Sequence, residues 1–128
     1  MARRIAELGF DVTGVDFMLS DKLPVHPSIK YLEGSICDIP FPDRAFDYVI
    51  STDTLEHIVD IQRAISELRR VCRHKLIIVV PCQREYRWTF ALHINFFPYI
   101  DSFMRVMGNN SGKCFKLGGD IMYVEDVA

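Results

Sequence analysis

The stretch from residue 46 to residue 80 constrains the fold most, because its hydrophobic periodicity changes twice. Residues 46–50 and 76–80 are short apolar runs rich in aromatic and β-branched side chains, which is typical of buried strands in a parallel sheet. Between them, Asp60 is suited to cap a helix. The apolar residues that follow recur at helical spacing: Ile61, Ala64, Ile65, Leu68, Val71 and Cys72. Strand, helix and strand joined by short links form a βαβ unit, so the stretch predicts an α/β fold.

The residues before this unit predict the end of a helix and two further strands. Residues 1–8 combine alanine with apolar residues at helical spacing, and Gly9 is placed as the cap at the helix end. Residues 11–16 and 29–33 each predict a strand bounded by polar residues. The N-terminal part therefore supplies two more strands to the α/β fold.

Beyond residue 82 the sequence is rich in aromatic side chains and ends in a hairpin pattern. Seven of the fifteen aromatic residues fall within residues 84–107, where we expect one or two helices broken near Pro98. These aromatic residues either line a pocket for a ring-containing substrate or form core, and we favour the core. Residues 114–117 and 121–124 predict two antiparallel strands turned at residues 118–119, both of which are glycine.

Acidic and polar residues stand just past the ends of three predicted strands. Asp16 ends the first of them, Asp38 lies in the loop after the second, and Ser51 opens a polar run that reaches His57. In an open parallel sheet, ligands bind outside the carboxyl ends of the strands. The sequence therefore predicts a small-molecule site at this edge of the sheet.

Four short motifs occur in order along this stretch: Asp38, Ile39-Pro40-Phe41, Phe46-Asp47-Tyr48-Val49 and Leu55-Glu56-His57. As a combination they resemble the class I S-adenosylmethionine-dependent methyltransferases, in particular the small "type 11" branch. No one of the motifs is specific by itself. The resemblance covers roughly the first two thirds of the chain and weakens after Pro81.

The resemblance implies a Rossmann-like three-layer α/β sandwich, with a mostly parallel sheet and a C-terminal antiparallel hairpin. It implies a single domain over residues 1–128, with a variable lid or acceptor segment at residues 82–112. The first strand of the family and its Gly-x-Gly-x-Gly loop are not found, because the chain begins inside the following helix and contains no Gly-x-Gly. We therefore expect an N-terminally truncated domain. Its remaining strands close up, or a homodimer partner fills the slot, or the chain is a fragment.

The resemblance also implies S-adenosylmethionine as the cofactor and assigns residues to it. The carboxylate of Asp16 would accept hydrogen bonds from the ribose hydroxyls, and that of Asp38 from the adenine amino group. Phe17, Ile39 and Ser51 are expected to form walls of the same site. The alternatives are structural: Asp16 caps the next turn, and Asp38 forms an Asx-type turn before a proline.

Methyl transfer from a sulfonium is an in-line displacement, in which the protein mainly positions the two reactants and excludes water. Neither a nucleophile nor a metal is required, and we predict no metal site. His57 and Glu56 are the candidate catalytic residues, because they stand where a base would meet a hydroxyl or amine acceptor. The alternative is that Leu55-Glu56-His57 only starts a turn. His93 is a weaker candidate.

Two other functions compete with methyl transfer. A catalytically inactive methyltransferase-like binding or scaffold domain would explain the missing glycine loop. An NAD(P)-binding oxidoreductase would also use an acidic residue at a strand end, but the chain has no Tyr-x-x-x-Lys pair. For the methyltransferase, a small molecule or a lipid-linked acceptor is favoured, while a protein side chain is compatible.

Composition excludes several other classes of protein. A formal net charge of −2 gives no electrostatic footprint for nucleic acid, and the short basic clusters are interpreted as solvated helix faces. The four cysteines are far apart and form no C-x-x-C pair, so they predict reduced thiols in a cytoplasmic protein rather than a structural zinc site. The longest apolar run, residues 76–82, is too short to span a bilayer.

Overall fold

The structure is a computed structural model that describes residues 1–85, 93–108 and 111–127. The chain divides into two compact units, Met1–Pro40 and Phe41–Ala128. Both units combine helices with strands, so the predicted α/β class is confirmed. None of the helices in the described part of the chain is long and apolar enough to cross a membrane.

The first unit contains one helix and a pair of parallel strands. Its elements are α1 (Ala2–Glu7), β1 (Val12–Asp16) and β2 (Ile29–Glu33). Gly9 takes a φ of +94° just after α1, and its N–H donates to the Ala6 carbonyl at 2.9 Å, so the predicted glycine cap is confirmed. In register, Val12 lies opposite Ile29 and Asp16 opposite Glu33. The carboxyl ends of β1 and β2 therefore coincide.

The second unit is built on a four-stranded mixed sheet. Its elements are β3 (Phe46–Thr52), a 3₁₀ turn (Leu55–His57), α2 (Ile61–Val71), β4 (Cys72–Pro81), α3 (Ile100–Met107), β5 (Lys113–Leu117) and β6 (Asp120–Asp126). The strand order is β3-β4-β6-β5. β3 and β4 are parallel, while β6 is antiparallel to both β4 and β5, so the predicted βαβ unit and C-terminal hairpin are confirmed.

Helix α2 begins and packs as its sequence predicts, but it ends earlier. The Asp60 carboxylate accepts from the Arg63 backbone N–H at 3.1 Å, which is the expected N-cap bond. The helix buries Ala64, Ile65, Leu68 and Val71. Cys72 is the exception, because it is the first residue of β4 rather than part of the helix face.

Strand β4 is twice as long as the five residues predicted for it, with ten residues from Cys72 to Pro81. It extends because it has partners on both sides, Cys72 lying opposite Phe46 of β3 and Lys75 opposite Asp126 of β6. Backbone pairing of this kind overrides the local preference of a charged segment. Leu76, Ile78 and Val80 are fully buried on one face of the strand.

The aromatic region is partly described, and there Phe97 and Phe103 form core, whereas Tyr99 is 61% exposed. Helix α3 begins shortly after Pro98, as predicted, whereas residues 93–97 are not helical. The rings of Phe97 and Phe103 meet edge to face at 5.0 Å, and Phe103 meets Tyr123 at 5.9 Å. All three rings are buried, so the favoured core interpretation is confirmed for Phe97 and Phe103. Tyr86, Trp88 and Phe90 lie outside the described residues.

A buried polar cluster joins α2, α3 and β6. The Glu125 carboxylate accepts from the Arg69 guanidinium at 2.8 Å and from the Tyr123 hydroxyl at 2.6 Å. Arg69 also donates to the Met107 carbonyl at 2.9 Å, at the end of α3. The interpretation of Arg69 as part of a solvated helix face is therefore wrong, because Glu125 is 4% exposed and needs a charged partner.

Candidate functional site

The carboxyl ends of β1 and β2 are held together by a backbone hydrogen bond. The Gly34 N–H, just past β2, donates to the carbonyl of Asp16 at 2.9 Å. A Cβ at Gly34 would lie 3.1 Å from the Val15 side chain, so the two strand ends approach closely there. The side chain of Asp16 is exposed at this edge.

Asp38 lies in a turn that directly follows this edge. The Asp38 N–H donates to the Ser35 carbonyl at 3.1 Å, and the Ser35 hydroxyl accepts from the Cys37 N–H at 3.1 Å. The Ser35 side chain and the backbone therefore hold the turn, and the Asp38 side chain is exposed. The first unit thus presents two exposed carboxylates, Asp16 and Asp38, beyond the carboxyl ends of its parallel strands.

The predicted wall residues differ in what they expose. Phe17 is 81% exposed beside Asp16, which is unusual for a phenylalanine and fits a surface that a flat ring could cover. The Ile39 side chain is buried, and so is that of Ser51, which lies opposite Ile78 within the second unit's sheet. Of these three side chains, that of Phe17 alone is therefore exposed.

These features fit the adenosyl part of a nucleotide cofactor. Carboxylates accept hydrogen bonds from vicinal hydroxyls and from an exocyclic amino group, and Asp16 and Asp38 supply such acceptors. They stand at the strand edge where open α/β sheets bind ligands.

A second group of residues lies past β3, in the second unit. Glu56 sits in the 3₁₀ turn with its side chain 2% exposed, and its Oε1 lies 3.8 Å from Nε2 of His57. Its Oε2 has no hydrogen-bond partner among the described residues. Burial raises the pKa of the Glu56 carboxyl above its ordinary value, while the Glu56 backbone N–H and the rings of His57 and His93 act in the opposite direction.

The segment that carries His93 is fixed onto this turn by four hydrogen bonds. The backbone N–H groups of Ile94 and Asn95 both donate to the Glu56 carbonyl, at 2.7 and 2.9 Å. The Asn95 side-chain amide donates to the carbonyls of Leu55 and Ile58, at 2.9 and 2.6 Å. Asn95 therefore works as a clip between two stretches of chain that are nearly forty residues apart.

The clip brings two histidine rings together. The rings of His57 and His93 meet edge to face, with centroids 4.8 Å apart. Nδ1 of His93 lies 2.8 Å from Oε1 of Gln83. Because an amide oxygen only accepts, Nδ1 donates this hydrogen bond, and Nε2 carries the lone pair in the neutral ring.

The structure thus places the predicted residues in two groups: Asp16, Phe17, Asp38 and Ile39 in the first unit, and Ser51, Glu56 and His57 in the second. Gln83 and Asn95 are not predicted as site residues from the sequence, and His93 is predicted only as a weaker catalytic candidate. No local pattern could have revealed them, because their roles depend on contacts between distant segments.

The fold and the exposed carboxylates define a Rossmann-like α/β protein with an edge suited to a nucleotide-type cofactor. Residues 1–80 match the family model described as "Methyltransferase domain". The chain therefore belongs to this methyltransferase family, whose cofactor is S-adenosylmethionine.

Known proteins resemble this chain at moderate identity. It is 31% identical over 127 residues to demethylmenaquinone methyltransferase of Lysinibacillus sphaericus, covering 91% of this chain and 51% of that protein. It is 32% identical over 83 residues to 2-phytyl-1,4-naphtoquinone methyltransferase of Nostoc sp., covering 57% of this chain and 35% of that protein. The chain thus spans about one third to one half of the length of these curated relatives.

Solved structures share the fold. A protein of Pyrococcus horikoshii OT3 superposes with a TM-score of 0.71 at 16% identity, covering 97% of this chain and 74% of that one. A SAM-dependent methyltransferase of Thermotoga maritima, described as a possible histamine N-methyltransferase, gives a TM-score of 0.63 at 15% identity, covering 79% of this chain and 65% of that one. The predicted Rossmann-like methyltransferase fold is confirmed.

Proposed function

We propose that this protein binds S-adenosylmethionine and transfers its methyl group to a small, ring-containing acceptor of the quinone type. The observation that carries the proposal is the pair of exposed carboxylates, Asp16 and Asp38, beyond the carboxyl ends of β1 and β2. Membership of the methyltransferase family supports it, because residues 1–80 include both aspartates.

In this proposal the adenosyl group lies on the exposed edge of the first unit. Asp16 accepts from the ribose hydroxyls and Asp38 from the adenine amino group, while Phe17 packs against the cofactor. Ile39 contributes backbone, since its side chain is buried.

The chemistry asks little of the protein beyond positioning. The bond between sulfur and the methyl carbon breaks as the acceptor atom forms its bond to the same carbon, and S-adenosylhomocysteine leaves. A hydroxyl acceptor also loses a proton, and we assign its acceptance to His57, which stands past β3 beside Glu56.

The acceptor class is suggested by the relatives named above, whose names specify a 2-phytyl-1,4-naphthoquinone and demethylmenaquinone. Residues 82–112 would form the acceptor segment, as the sequence analysis expects. An assay with a reduced 1,4-naphthoquinone and radiolabelled methyl donor tests this part, and exclusive methylation of a polar amine would overturn it.

The cofactor assignment is tested by calorimetric titration of the 128-residue chain with S-adenosylmethionine and with S-adenosylhomocysteine. We expect Asp16→Ala to weaken both affinities by about tenfold or more, because a charge-assisted hydrogen bond is lost. Asp11→Ala is the matched control, since Asp11 is an exposed aspartate just before the opposite end of β1. Equal affinities in the parent and both variants would refute the role of Asp16, and no binding at millimolar cofactor would leave a scaffold domain.

A further inference from the structure

We propose that Glu56, His57 and His93 form a binding site for one divalent transition-metal ion, with zinc the best-suited ion. Their ligand atoms all lie within 4.8 Å of one another. Two imidazole nitrogens and one carboxylate oxygen are a common ligand set for zinc sites that keep a position for another ligand. The residues come from two segments, the 3₁₀ turn and the segment beyond residue 92.

The unsatisfied oxygen of Glu56 is suited to bind a cation. Its Oε2 is buried and has no hydrogen-bond partner among the described residues. If the carboxyl group is ionised, Oε2 lacks a hydrogen-bond donor. If the group is neutral with its proton on Oε2, that proton lacks an acceptor. A buried polar atom in either state is costly, at about 1–3 kcal/mol. A metal ion bound to the carboxylate would remove that cost.

One nitrogen of the His93 ring remains available to a metal ion. Its Nδ1 donates to Oε1 of Gln83 at 2.8 Å, which fixes the ring and leaves the lone pair on Nε2. Metal-binding histidines commonly donate their second N–H to an oxygen in this way. The Asn95 clip holds the backbone next to His93 against the carbonyls of the 3₁₀ turn, so the ring has little freedom to leave.

The distances require only small side-chain movements. Ligand atoms around a tetrahedral zinc ion are roughly 3.4 Å apart, since each lies about 2.0–2.2 Å from the metal. Nε2 of His57 is 3.8 Å from Oε1 of Glu56, and the His57 side chain is 44% exposed, so it can rotate inward. The four hydrogen bonds behind the turn keep the backbone in place during this movement.

Three protein ligands leave at least one coordination position for water or for an oxygen atom of a small molecule. With the ion bound, His57 is a ligand, so its assignment as a base applies to the metal-free chain. The metal site rests on the contacts of the second unit alone and does not depend on the proposed methyl transfer.

The test is titration of the chelator-treated 128-residue chain with Co²⁺, followed by visible absorption, with Zn²⁺ as competitor. We expect one equivalent of Co²⁺ to bind with the absorption of a four- or five-coordinate site, and Zn²⁺ to displace it. His57→Gln and His93→Gln should each weaken Co²⁺ binding by roughly tenfold or more. Zn²⁺ should also raise the temperature of unfolding of the parent.

His74→Gln is the matched control. His74 is an exposed histidine on β4 that lies 3.7 Å from the Asp47 carboxylate, outside the cluster, so its removal should leave Co²⁺ binding unchanged. No binding at millimolar Co²⁺ would overturn the proposal, as would equal binding by the parent and by the His57→Gln and His93→Gln variants. Circular dichroism of each variant separates loss of the site from loss of the fold. Because the His57 side chain is half exposed, His57→Gln is the substitution that should disturb the fold least.

Discussion

At the scale of single residues, the buried ring of Tyr123 sets the tightest packing in the second unit. A Cβ on Gly112 would overlap the Tyr123 hydroxyl and the ring carbons next to it. The ring is fully buried against Phe103, and its hydroxyl donates to Glu125, so it has no room to withdraw. Only glycine fits at position 112.

We expect Gly112→Ala to destabilise the protein by about 1–3 kcal/mol, because the added methyl group forces the ring or the backbone to shift. The measurement is the free energy of unfolding in urea. Gly119→Ala is the matched control, since nothing lies within 4 Å of the Cβ that it would add. A loss at position 119 equal to that at position 112 would contradict the packing argument.

The same tyrosine predicts a dependence of stability on alkaline pH. Burial and the neighbouring Glu125 carboxylate raise the pKa of Tyr123 to about 12. The unfolded value is about 10, so the stability that this group contributes is complete below about pH 10 and is lost as the pH rises through about 12.

Unfolding free energies of the parent and of Tyr123→Phe at about pH 9 and about pH 11.5 test this. We expect the advantage of the parent to shrink by about 2 kcal/mol between these two pH values. Tyr48→Phe serves as control, because Tyr48 is 55% exposed. An advantage that is independent of pH would show that the phenol ionises equally in both states.

At the scale of elements, Arg69 and Glu125 tie α2 to β6, and Arg69 also reaches the end of α3. Arg69→Met would leave a buried carboxylate without its cation, at a cost of about 3 kcal/mol. We expect Arg69→Met combined with Glu125→Gln to lose less stability than the sum of the two single changes, because the neutral amide still accepts from Tyr123.

A double-mutant cycle of urea unfolding measures this coupling. The exposed pair Arg3–Glu7 in α1, four residues apart at 3.0 Å, is the reference. We expect its coupling to be at most about 0.5 kcal/mol, as for exposed pairs on helices. Strictly additive losses at Arg69 and Glu125 would contradict the role of the cluster as a clamp between elements.

Local signals were sufficient where an element depends on its own residues. Asp60 predicts the start of α2 because its carboxylate accepts a hydrogen bond from the backbone N–H three residues later. Gly9 follows α1 because glycine adopts the required positive φ without strain. Cys72 could not be placed from sequence, since pairing with Phe46 draws it into β4. The burial of Arg69 in an ion pair could not be predicted for a related reason, since its partner Glu125 is 56 residues away in the sequence.

The two candidate sites differ in the same way in how far the sequence predicts them. Asp16 and Asp38 follow from position, because a strand end is recognisable in sequence. The meeting of His57 with His93 cannot be recognised in the sequence. It depends on the Asn95 side chain, which donates to two backbone carbonyls of a segment nearly forty residues away.

At the scale of the whole molecule, the buried apolar side chains are unevenly distributed. In the described residues the first unit buries two of them, Ala6 and Ile39, whereas the remaining buried apolar residues belong to the second unit. Units with few buried contacts open more readily than those with a dense core. We therefore expect the parallel pair β1–β2 to open more readily than the sheet of the second unit.

We expect amides of β1 and β2 to exchange with solvent hydrogen faster than those of β4, which has hydrogen-bonded partners on both sides. Hydrogen exchange followed by mass spectrometry measures the difference. Saturating S-adenosylhomocysteine should slow exchange selectively at the ends of β1 and β2 if Asp16 and Asp38 bind it. Equal protection of β1 and β4 in the unliganded protein would contradict the expected order.

The contact between Gln83 and His93 has a practical consequence for protein engineering. Because these two side chains meet at 2.8 Å, any segment that joins residues 83 and 93 has its two ends close together. Lengthening such a connection costs little, about 0.6 kcal/mol for each doubling of its length. The pair is therefore a natural junction for grafting, where a segment of another length could be introduced with the sheet left intact.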